Sequence, residues 1–373
     1  MANRACLAAG AAAYSALRPV LFRVADAQTA HTRTLDLLRW LDGQEWAQMT
    51  LGRANRLAFD LLPVTVGGAT LPFPLTLAAG FVKGDGFPDE ESAVAAVMRG
   101  ENIIPGWRSL PRLVGPVEFG SFTRWPRTGN PGVVVWRDPA TRSTQNRVGL
   151  KNPGARAAAA FLARGRHNLP LVYGINIAVS PGVDDPAQEQ SEIVAALEAF
   201  LSLDIVPSWF TLNLSCPNTE DDPTGRQTQA RTRGAVRVAL ERVGSAAPLW
   251  VKLGPDLSAE QYRALLRVCA DEGVRAVVAT NTLGQPAPDG SGLTAGVGGG
   301  RLHQRALAVA KLLLDDIRAR GYSLDVIGCG GVIDGRSWAA FSRIGVRAVQ
   351  YWSALVYRGP LAAALIVNED CHA

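Results

Sequence analysis

The chain of 373 residues is 47% hydrophobic and 19% charged, enough for a large buried core in one barrel or in two ordinary domains. Its net charge of +5 includes no long block of like charges, which argues against nucleic-acid binding and leaves a modestly basic surface suited to anionic substrates or an anionic membrane. The five cysteines form no C-x-x-C pair and the four histidines lack metal-ligand spacing, so neither a disulfide framework nor a metal site is expected.

The N-terminal segment is predicted to form a small helical cap. Residues 12–24 and 28–41 place leucines and valines at helical spacing, with interruptions at Pro19 and Asp26. The first apolar stretch is too short to span a bilayer, although an alanine-rich start can also imitate a cleaved signal. Such helices either pack onto the main domain or lie on a membrane surface. We assign residues 1–65 to the cap and its connecting segment, and residues 66–373 to the main domain.

From residue 75 onward, short apolar runs alternate with amphipathic segments that are long enough for crossover helices. Eight β/α units favour a closed (β/α)8 TIM barrel of the α/β class over an open sheet. The insertion at 120–150 is rich in Gly, Pro and β-branched residues and is expected to form loops or a small hairpin on the barrel top. The candidate strands are 75–79, 117–119, 171–176, 209–214, 249–253, 276–280, 324–329 and 347–351.

Polar residues lie at or after the ends of these candidate strands. The carboxyl ends of barrel strands form one rim, where barrel enzymes carry their active sites. Each residue alone could be an ordinary turn former, but their concentration at one rim favours a functional site. The residues are Lys83, Ser121, Asn176, Asn213, Ser215, Cys216, Asn218, Lys252, Asn281, Thr282, Gly330, Gly331 and Ser353.

Two glycine clusters have different interpretations. Gly330 and Gly331 follow the seventh strand and Ser353 follows the eighth, where barrels bind phosphate through backbone N–H groups. This position predicts a phosphorylated ligand or cofactor. The other cluster, at 296–300, is expected to follow a loop rather than a strand, which weakens any dinucleotide-binding interpretation.

Lys252 lies inside the apolar run of the fifth strand and is expected to point into the barrel mouth. A buried ammonium needs an anionic partner. The residues alone leave three roles open: charge compensation for a reduced cofactor, the Schiff-base amine of an aldolase-type barrel, or a structural ion pair.

Eight ordered motifs resemble the successive signatures of the dihydroorotate dehydrogenases: LAAGFVKG, VEFGSFT, NRVGLKN, LNLSCPNT, VKLGPD, ATNT, IGCGGV and VQYWSALVYRGP. The stretch LRPVLFRVADAQTAHTRTL is similar to the helical cap of the membrane-associated, quinone-reducing class 2. The resemblance implies FMN-dependent oxidation of dihydroorotate to orotate in pyrimidine (UMP) biosynthesis, with quinone as electron acceptor. It also implies peripheral attachment of the N-terminal helices to the cytoplasmic face of a membrane, with a soluble cytoplasmic protein as the alternative.

The resemblance further implies roles for individual residues. Amide side chains supply both donors and acceptors, which suits a pyrimidine ring that alternates the two. Substrate contacts are implied for Lys83, Asn146, Asn213, Asn218, Asn281 and Thr282, and a quinone site for His31 and Arg137. FMN contacts are implied for Ala79, Gly80, Lys83, Ser121, Asn176, Asn213, Lys252, Thr280, Gly300, Gly330, Gly331, Trp352 and Ser353.

Cys216 stands at the position of the family's catalytic base, which removes a proton from C5 of the substrate while hydride leaves C6 for flavin N5. Lys252 would stabilise the anionic reduced flavin. Class 2 members normally carry Ser as the base, so Cys216 resembles the soluble fumarate- or NAD-linked class. Two further hypotheses are a flavin barrel oxidoreductase acting on another dihydropyrimidine and a non-catalytic flavin-binding homologue.

Overall fold

The computed structural model describes residues 2–214 and 228–370. In chain order, the strands of this part are β1 (Val64–Val66), β2 (Ala69–Leu71), β3 (Leu75–Leu77), β4 (Val117–Phe122), β5 (Val135–Asp138), β6 (Ser143–Asn146), β7 (Tyr173–Ala178), β8 (Trp209–Asn213), β9 (Leu249–Leu253), β10 (Ala276–Ala279), β11 (Leu283–Pro286), β12 (Thr294–Gly299), β13 (Asp325–Cys329) and β14 (Val349–Tyr351). The helices are α1 (Ala2–Val24), α2 (Ala27–Asp42), α3 (Glu45–Ala58), α4 (Glu90–Met98), α5 (Pro111–Val114), α6 (Ala155–Arg164), α7 (Pro186–Leu201), α8 (Gln229–Val243), α9 (Ala259–Glu272), α10 (Gly300–Arg320), α11 (Gly335–Ile344), α12 (Ser353–Arg358) and α13 (Ala362–Asp370).

Eight parallel strands close into a barrel in the order β10-β13-β14-β3-β4-β7-β8-β9. Strands β4, β7 and β9 are buried at every position, because side chains on one face fill the barrel and those on the other pack against the surrounding helices. These eight strands coincide with the eight apolar runs of the sequence. The predicted (β/α)8 barrel with an N-terminal helical cap is therefore confirmed.

The antiparallel hairpin β1–β2 covers the amino-terminal end of the barrel. The carbonyl oxygen of Gly67, in its turn, accepts a hydrogen bond from Trp250 Nε1 at 2.8 Å, and its N–H donates to Asp325 Oδ2 at 2.7 Å. Trp250 also stacks on Trp209, with ring centroids 4.5 Å apart. With this end closed, a ligand has to enter at the carboxyl ends of the strands.

A second, four-stranded antiparallel sheet with the order β11-β12-β6-β5 lies above the barrel rim. The hairpin β5–β6 falls within the insertion where a loop or small hairpin was expected. Strand β12 contains residues 296–299, so the prediction that this glycine cluster follows a loop was wrong. Glycines pair through their backbone alone and have no side chains whose alternation could predict a strand. At Gly299, with φ 83°, a Cβ would lie 2.5 Å from the carbonyl oxygen of Arg142.

The cap consists of α1, α2 and α3. The first two correspond to the predicted helices, and the third was not predicted. Asp26 interrupts the chain as expected, because its carboxylate caps α2 by accepting from the Thr29 N–H at 2.7 Å. Pro19 does not interrupt α1, and that part of the prediction was wrong. The helix is exposed around Pro19, where water can hydrate the carbonyl that the proline leaves without a donor.

Asp42, at the end of α2, fixes the cap onto the barrel. Its buried carboxylate accepts hydrogen bonds from Asn102 Nδ2 at 2.8 Å, from the Gly106 N–H at 2.7 Å, and from the N–H and hydroxyl of Ser109 at 2.9 and 2.7 Å. Burial raises the pKa of Asp42, and these hydrogen bonds oppose that rise. The cap is thereby anchored at one end beside the barrel mouth.

The cap also exposes many large apolar side chains. Trp46, for example, remains 54% exposed, and Trp40 packs edge-to-face against it at 5.9 Å. None of the described helices is both long and apolar enough to cross a bilayer. The apolar cap surface consists of Leu17, Val20, Leu21, Val24, Leu37, Trp40, Trp46, Met49, Leu57, Leu61 and Leu62.

Candidate active site

A cavity lies at the carboxyl ends of the barrel strands, between the barrel, the four-stranded sheet and α2. It contains about 1220 Å³ of empty space, part of which is open to solvent. Most of the residues singled out in the sequence lie in its wall. These are His31, Ala79, Gly80, Lys83, Ser121, Asn146, Asn176, Asn213, Lys252, Thr280, Asn281, Thr282, Gly330, Gly331, Trp352 and Ser353.

Five of the singled-out site residues are not among the described cavity residues. Gly300 is exposed at the start of α10 and packs against the backbone of Thr141. The two preceding glycines, Gly298 and Gly299 of β12, line the cavity. Arg137 lines a neighbouring open cavity. Ser215, Cys216 and Asn218 lie outside the described residues.

Arg137 connects the four-stranded sheet to the cap. Its Nη2 donates to the carbonyl oxygen of Phe22 at 2.9 Å and also to that of Ala25. The guanidinium lies over the Phe22 ring, 4.1 Å from its centroid. Arg137 thus holds the junction of α1 and α2 next to the cavity.

Lys252 is only 5% exposed, and its Nζ donates to Gln350 Oε1 at 3.1 Å. Gln350 Nε2 in turn donates to Glu118 Oε2 at 2.9 Å. A single amide therefore links the buried ammonium to a fully buried carboxylate, which offsets part of the cost of burying the charge. The ammonium remains in the cavity wall.

Asn176 contributes an acceptor to the cavity wall. Its Nδ2 donates to Glu118 Oε1 at 2.9 Å. Its buried Oδ1 has no hydrogen-bond partner within residues 2–214 and 228–370. Because buried carbonyl groups are nearly always paired, this oxygen indicates a ligand that donates an N–H or O–H group at this point.

Amides and hydroxyls form a row along one side of the cavity. Asn281 Nδ2 donates to Asn213 Oδ1 at 3.2 Å, and Asn213 Nδ2 donates to Ser121 Oγ at 3.3 Å. The backbone N–H of Thr282 donates to Asn281 Oδ1 at 2.8 Å. The row presents donors and acceptors close together, which suits a ring that carries both N–H and C=O groups.

One end of the cavity is lined by glycine backbone. At Gly331, with φ 67°, a Cβ would lie 2.5 Å from that of His303, so no larger residue fits. The hydroxyls of Thr144 and Ser353 are hydrogen-bonded to each other at 2.6 Å beside this end. Exposed backbone N–H groups and hydroxyls are typical of phosphate sites. The glycines are Gly298, Gly299, Gly330 and Gly331.

The described lining of the cavity carries positive charge. Its described lining includes Lys83 and Lys252 but no Asp or Glu side chain. Burial, followed by the ammonium groups of Lys83 and Lys151, lowers the pKa of His31 to about 4, so its imidazole is neutral at pH 7. The ring of His31 packs edge-to-face on Phe81 at 5.6 Å. Such a cavity attracts anionic ligands. No group of three or more His, Cys, Asp or Glu residues within the described ranges is arranged to hold a metal ion.

Sequence reasoning missed several residues that form the site. Glu118 and Gln350 are polar residues inside apolar strand runs, which is the same signal that singled out Lys252. Cys329 also lines the cavity, where burial raises the pKa of its thiol and Lys252 acts in the opposite direction. Thr144 and the neighbouring Gln145 come from the hairpin expected within the insertion, but no signal in the sequence singled out these two residues.

The family model described as dihydroorotate dehydrogenase matches residues 61–370. The chain belongs to the dihydroorotate dehydrogenase family. Proteins named dihydroorotate dehydrogenase (quinone) from Chloroflexus aurantiacus and Gloeobacter violaceus are 33% and 32% identical to it. The first alignment covers 92% of both chains, and the second covers 93% of this chain and 90% of the relative. The resemblance read from the sequence motifs, with class 2 as the closest class, is confirmed.

Solved structures of the family share the fold. The crystal structure of a ligand-free DHODH from Eimeria tenella superimposes with a TM-score of 0.69 at 22% sequence identity, and the match covers 87% of this chain and 92% of that one. A complex of DHODH from the same organism with ferulenol gives a TM-score of 0.67, also at 22% identity. At 22% sequence identity, the similarity to these two structures shows a shared fold.

Proposed function

We propose that this protein is an FMN-dependent dihydroorotate dehydrogenase of pyrimidine biosynthesis that passes electrons from dihydroorotate to a quinone. Membership of the family and the names of its relatives support this activity. The cavity carries the proposal, because a buried ammonium, an amide oxygen without a partner among the described residues and a glycine-lined end surround the same space.

The residues present fit FMN at both of its ends. Asn176 Oδ1, which has no partner in the described part of the chain, can accept from the single N–H of the oxidised isoalloxazine ring, and Lys252 can lie against the ring's carbonyl groups. The glycine-lined end, with Thr144 and Ser353 beside it, offers backbone N–H groups and hydroxyls to the phosphate. The positive lining suits an anionic cofactor together with an anionic substrate.

Bound FMN supplies a two-electron acceptor. Lys252 keeps a positive charge in the wall, where negative charge on the reduced ring needs stabilisation. Lys83 offers its ammonium to the substrate carboxylate. The substrate ring would be bound by the amide row, with Asn146, Asn213, Asn281 and Thr282 as its partners in the described cavity.

Cys216 is our proposed base for the proton at C5 of dihydroorotate, and Asn218 completes the substrate contacts. Both follow β8 in the motif LNLSCPNT and lie outside the described residues. Asn213, the last residue of β8, lines the cavity. A free thiol has a pKa near 8.5, so its thiolate has to form in an environment that lowers this value.

Quinone would approach between the cap and the barrel, where His31 lines the cavity and Arg137 holds the α1–α2 junction. The apolar cap surface supports peripheral binding to the cytoplasmic face of a membrane, the source of a hydrophobic quinone. A soluble cytoplasmic enzyme is the alternative, and vesicle binding distinguishes the two.

Anaerobic titration of the purified protein tests the proposal. We expect a yellow protein whose flavin absorbance bleaches on addition of dihydroorotate and shifts on addition of orotate. The matched variant Cys216→Ala should retain the flavin and the orotate-induced shift but lose nearly all of the bleaching rate. A protein without flavin would refute the cofactor. Bleaching by dihydrouracil in place of dihydroorotate would indicate another dihydropyrimidine, and equal negligible rates in parent and variant would indicate a non-catalytic homologue.

A further inference from the structure

Glu118 is a fully buried carboxylate on β4, directly below the cavity wall. It lies inside the barrel rather than in the lining, so it cannot contact a ligand as Lys252 or Asn176 can. Oε1 accepts from Asn176 Nδ2 at 2.9 Å. Oε2 accepts from three donors, namely Trp209 Nε1 at 2.9 Å, Thr211 Oγ1 at 2.7 Å and Gln350 Nε2 at 2.9 Å.

The orientation of both amides around Glu118 follows from neighbouring groups that can only donate or can only accept. The Lys252 ammonium has no acceptor, so Gln350 must turn its oxygen to Lys252 and its nitrogen to the carboxylate. The carboxylate likewise attracts the nitrogen of Asn176. The Asn176 oxygen is therefore left in the cavity wall without a described donor.

We propose that Glu118 is a positioning residue that sets the hydrogen-bond polarity of the cavity wall. Through Gln350 it holds an ammonium in the wall, and through Asn176 it holds an acceptor close by. An ammonium together with a lone acceptor complements the edge of the flavin ring, which alternates C=O and N–H groups. The inference rests on the proposed function, because FMN is taken as the ligand.

The substitution Glu118→Gln has one predictable outcome. Three donors meet at the Oε2 position, and the indole N–H of Trp209 cannot become an acceptor, so the glutamine oxygen must occupy that position. The glutamine nitrogen then faces Asn176 Nδ2. Asn176 has to flip and present its NH2 group to the cavity, where the flavin N–H needs an acceptor. We expect the FMN dissociation constant to rise about tenfold or more, because a hydrogen bond becomes a donor–donor contact.

The double variant Glu118→Gln with Asn176→Asp exchanges the carboxylate and the amide between the two positions. The glutamine nitrogen can then donate to one oxygen of the new aspartate, and the other oxygen restores the acceptor in the cavity wall. We expect FMN affinity to return to within about threefold of the parent. Asn176→Asp alone places two carboxylates against each other and should weaken FMN binding further. If Glu118 contributed only to packing, the double variant would not recover FMN affinity.

Thr211→Val is the matched control, because it removes one donor to the same carboxylate and leaves both amide orientations unchanged. Its FMN dissociation constant should stay within about threefold of the parent. All constants are measured by equilibrium dialysis of the holoenzyme with FMN, and thermal unfolding of each variant is followed by circular dichroism.

The outcomes separate this inference from the proposed function. A parent protein without FMN would refute the proposed function itself. A parent that holds FMN, with Glu118→Gln equally tight or Thr211→Val equally weakened, would overturn the positioning role. If Glu118→Gln fails to fold, the double variant decides. Recovery of FMN binding in the double variant supports the positioning role. A double variant that does not recover FMN binding, whether or not it folds, overturns that role.

Discussion

Lys252 is the residue whose charge bears most directly on the proposed chemistry. Its ammonium is buried in the cavity wall and held by Gln350, so it does not need to reorganise when negative charge develops nearby. A fixed cation in a region of low dielectric stabilises an anion more strongly than the same cation would in water. The residue should therefore affect the redox equilibrium as well as the rate.

Lys252→Met keeps the aliphatic stem and removes the charge. We expect flavin reduction by dihydroorotate to slow about 100-fold or more, and the midpoint potential of the bound flavin to become more negative, because its reduced anion loses a cation. Anaerobic stopped-flow absorbance gives the rate, and a redox titration gives the potential. The exposed Lys311, paired with Asp315 at 2.5 Å, provides the control Lys311→Met. An unchanged potential in Lys252→Met would contradict the assigned role.

His31 predicts a pH dependence of stability. Its folded-state pKa of about 4 is below the ordinary value of 6.5, so the unfolded chain binds a proton between these values and the folded chain does not. Stability from this group is therefore complete above pH 6.5 and is lost as the pH falls toward 4. The loss for the partly buried ring should be about 1–2 kcal/mol after allowance for solvent screening.

His31→Gln should flatten this contribution. Urea denaturation at pH 7.5 and at pH 5 gives the unfolding free energies of parent and variant. Between these pH values the parent should lose about 1 kcal/mol more than the variant. Replacement of the exposed His167 by Gln is the control and should leave the parent's pH profile intact. A pH dependence that persists unchanged in His31→Gln would assign the effect to other groups.

At the scale of elements, the helices of the cap bury little of their apolar surface. The exposed indoles of Trp40 and Trp46 lie together on α2 and α3, where they can enter the interface of a bilayer. The double variant Trp40→Gln, Trp46→Gln should weaken binding to vesicles of phosphatidylglycerol and phosphatidylcholine about tenfold, as measured by co-sedimentation.

Leu171 supplies the matched control for that prediction. It is 99% exposed, but it precedes β7 on the barrel rather than lying on the cap. Leu171→Gln should therefore leave vesicle binding unchanged. Vesicle binding that is equally strong in parent and double variant would remove the support for a membrane-facing cap and favour the soluble alternative.

The sequence predicted the strands that are buried on both faces. It missed strands that are short or rich in glycine, because these carry no apolar side-chain pattern. The barrel strands are continuous apolar runs, so all eight could be found. By contrast, β1, β2 and β12 are short or glycine-rich, and their positions depend on partners distant in the chain, such as Trp250 for the β1–β2 turn. Helix α3 buries mainly small or polar residues, namely Ala47, Gln48, Gly52 and Ala58, so no row of large apolar residues marked its core-facing side in the sequence.

At the scale of the whole molecule, barrel closure decides which residues meet. The rim residues could be predicted, because every strand end reaches the same cavity. The contact of Glu118 with Gln350 joins β4 to β14 across the barrel interior, and no local pattern encodes that pairing. The same closure places the hydrophilic rim and the cap at one mouth, so substrate and quinone would use the same end of the barrel.

Flavin reduction by dihydroorotate and flavin reoxidation by quinone would take place at the same mouth of the barrel. A substitution that changes only the contacts with the cap can separate the two half-reactions. Arg137 lies outside the main cavity and holds the α1–α2 junction through two backbone carbonyls and the Phe22 ring. Arg137→Ala removes these contacts while leaving Lys83, Lys252 and the amide row in place. We expect quinone-dependent turnover to fall about tenfold, whereas anaerobic flavin reduction by dihydroorotate stays within about twofold of the parent.

The control for this separation lies on the same hairpin. Arg142 is half-exposed and pairs with Asp334 at 3.3 Å rather than with the cap, so Arg142→Gln should leave both half-reactions unchanged. Stopped-flow reduction by dihydroorotate and reoxidation by a soluble ubiquinone analogue measure the two steps independently. Slowing of both steps in Arg137→Ala would mean that the cap shapes the substrate side as well, because the hairpin that carries Arg137 also supplies Thr144 and Asn146 to the cavity. Slowing of reoxidation alone would assign the cap to electron transfer out of the barrel.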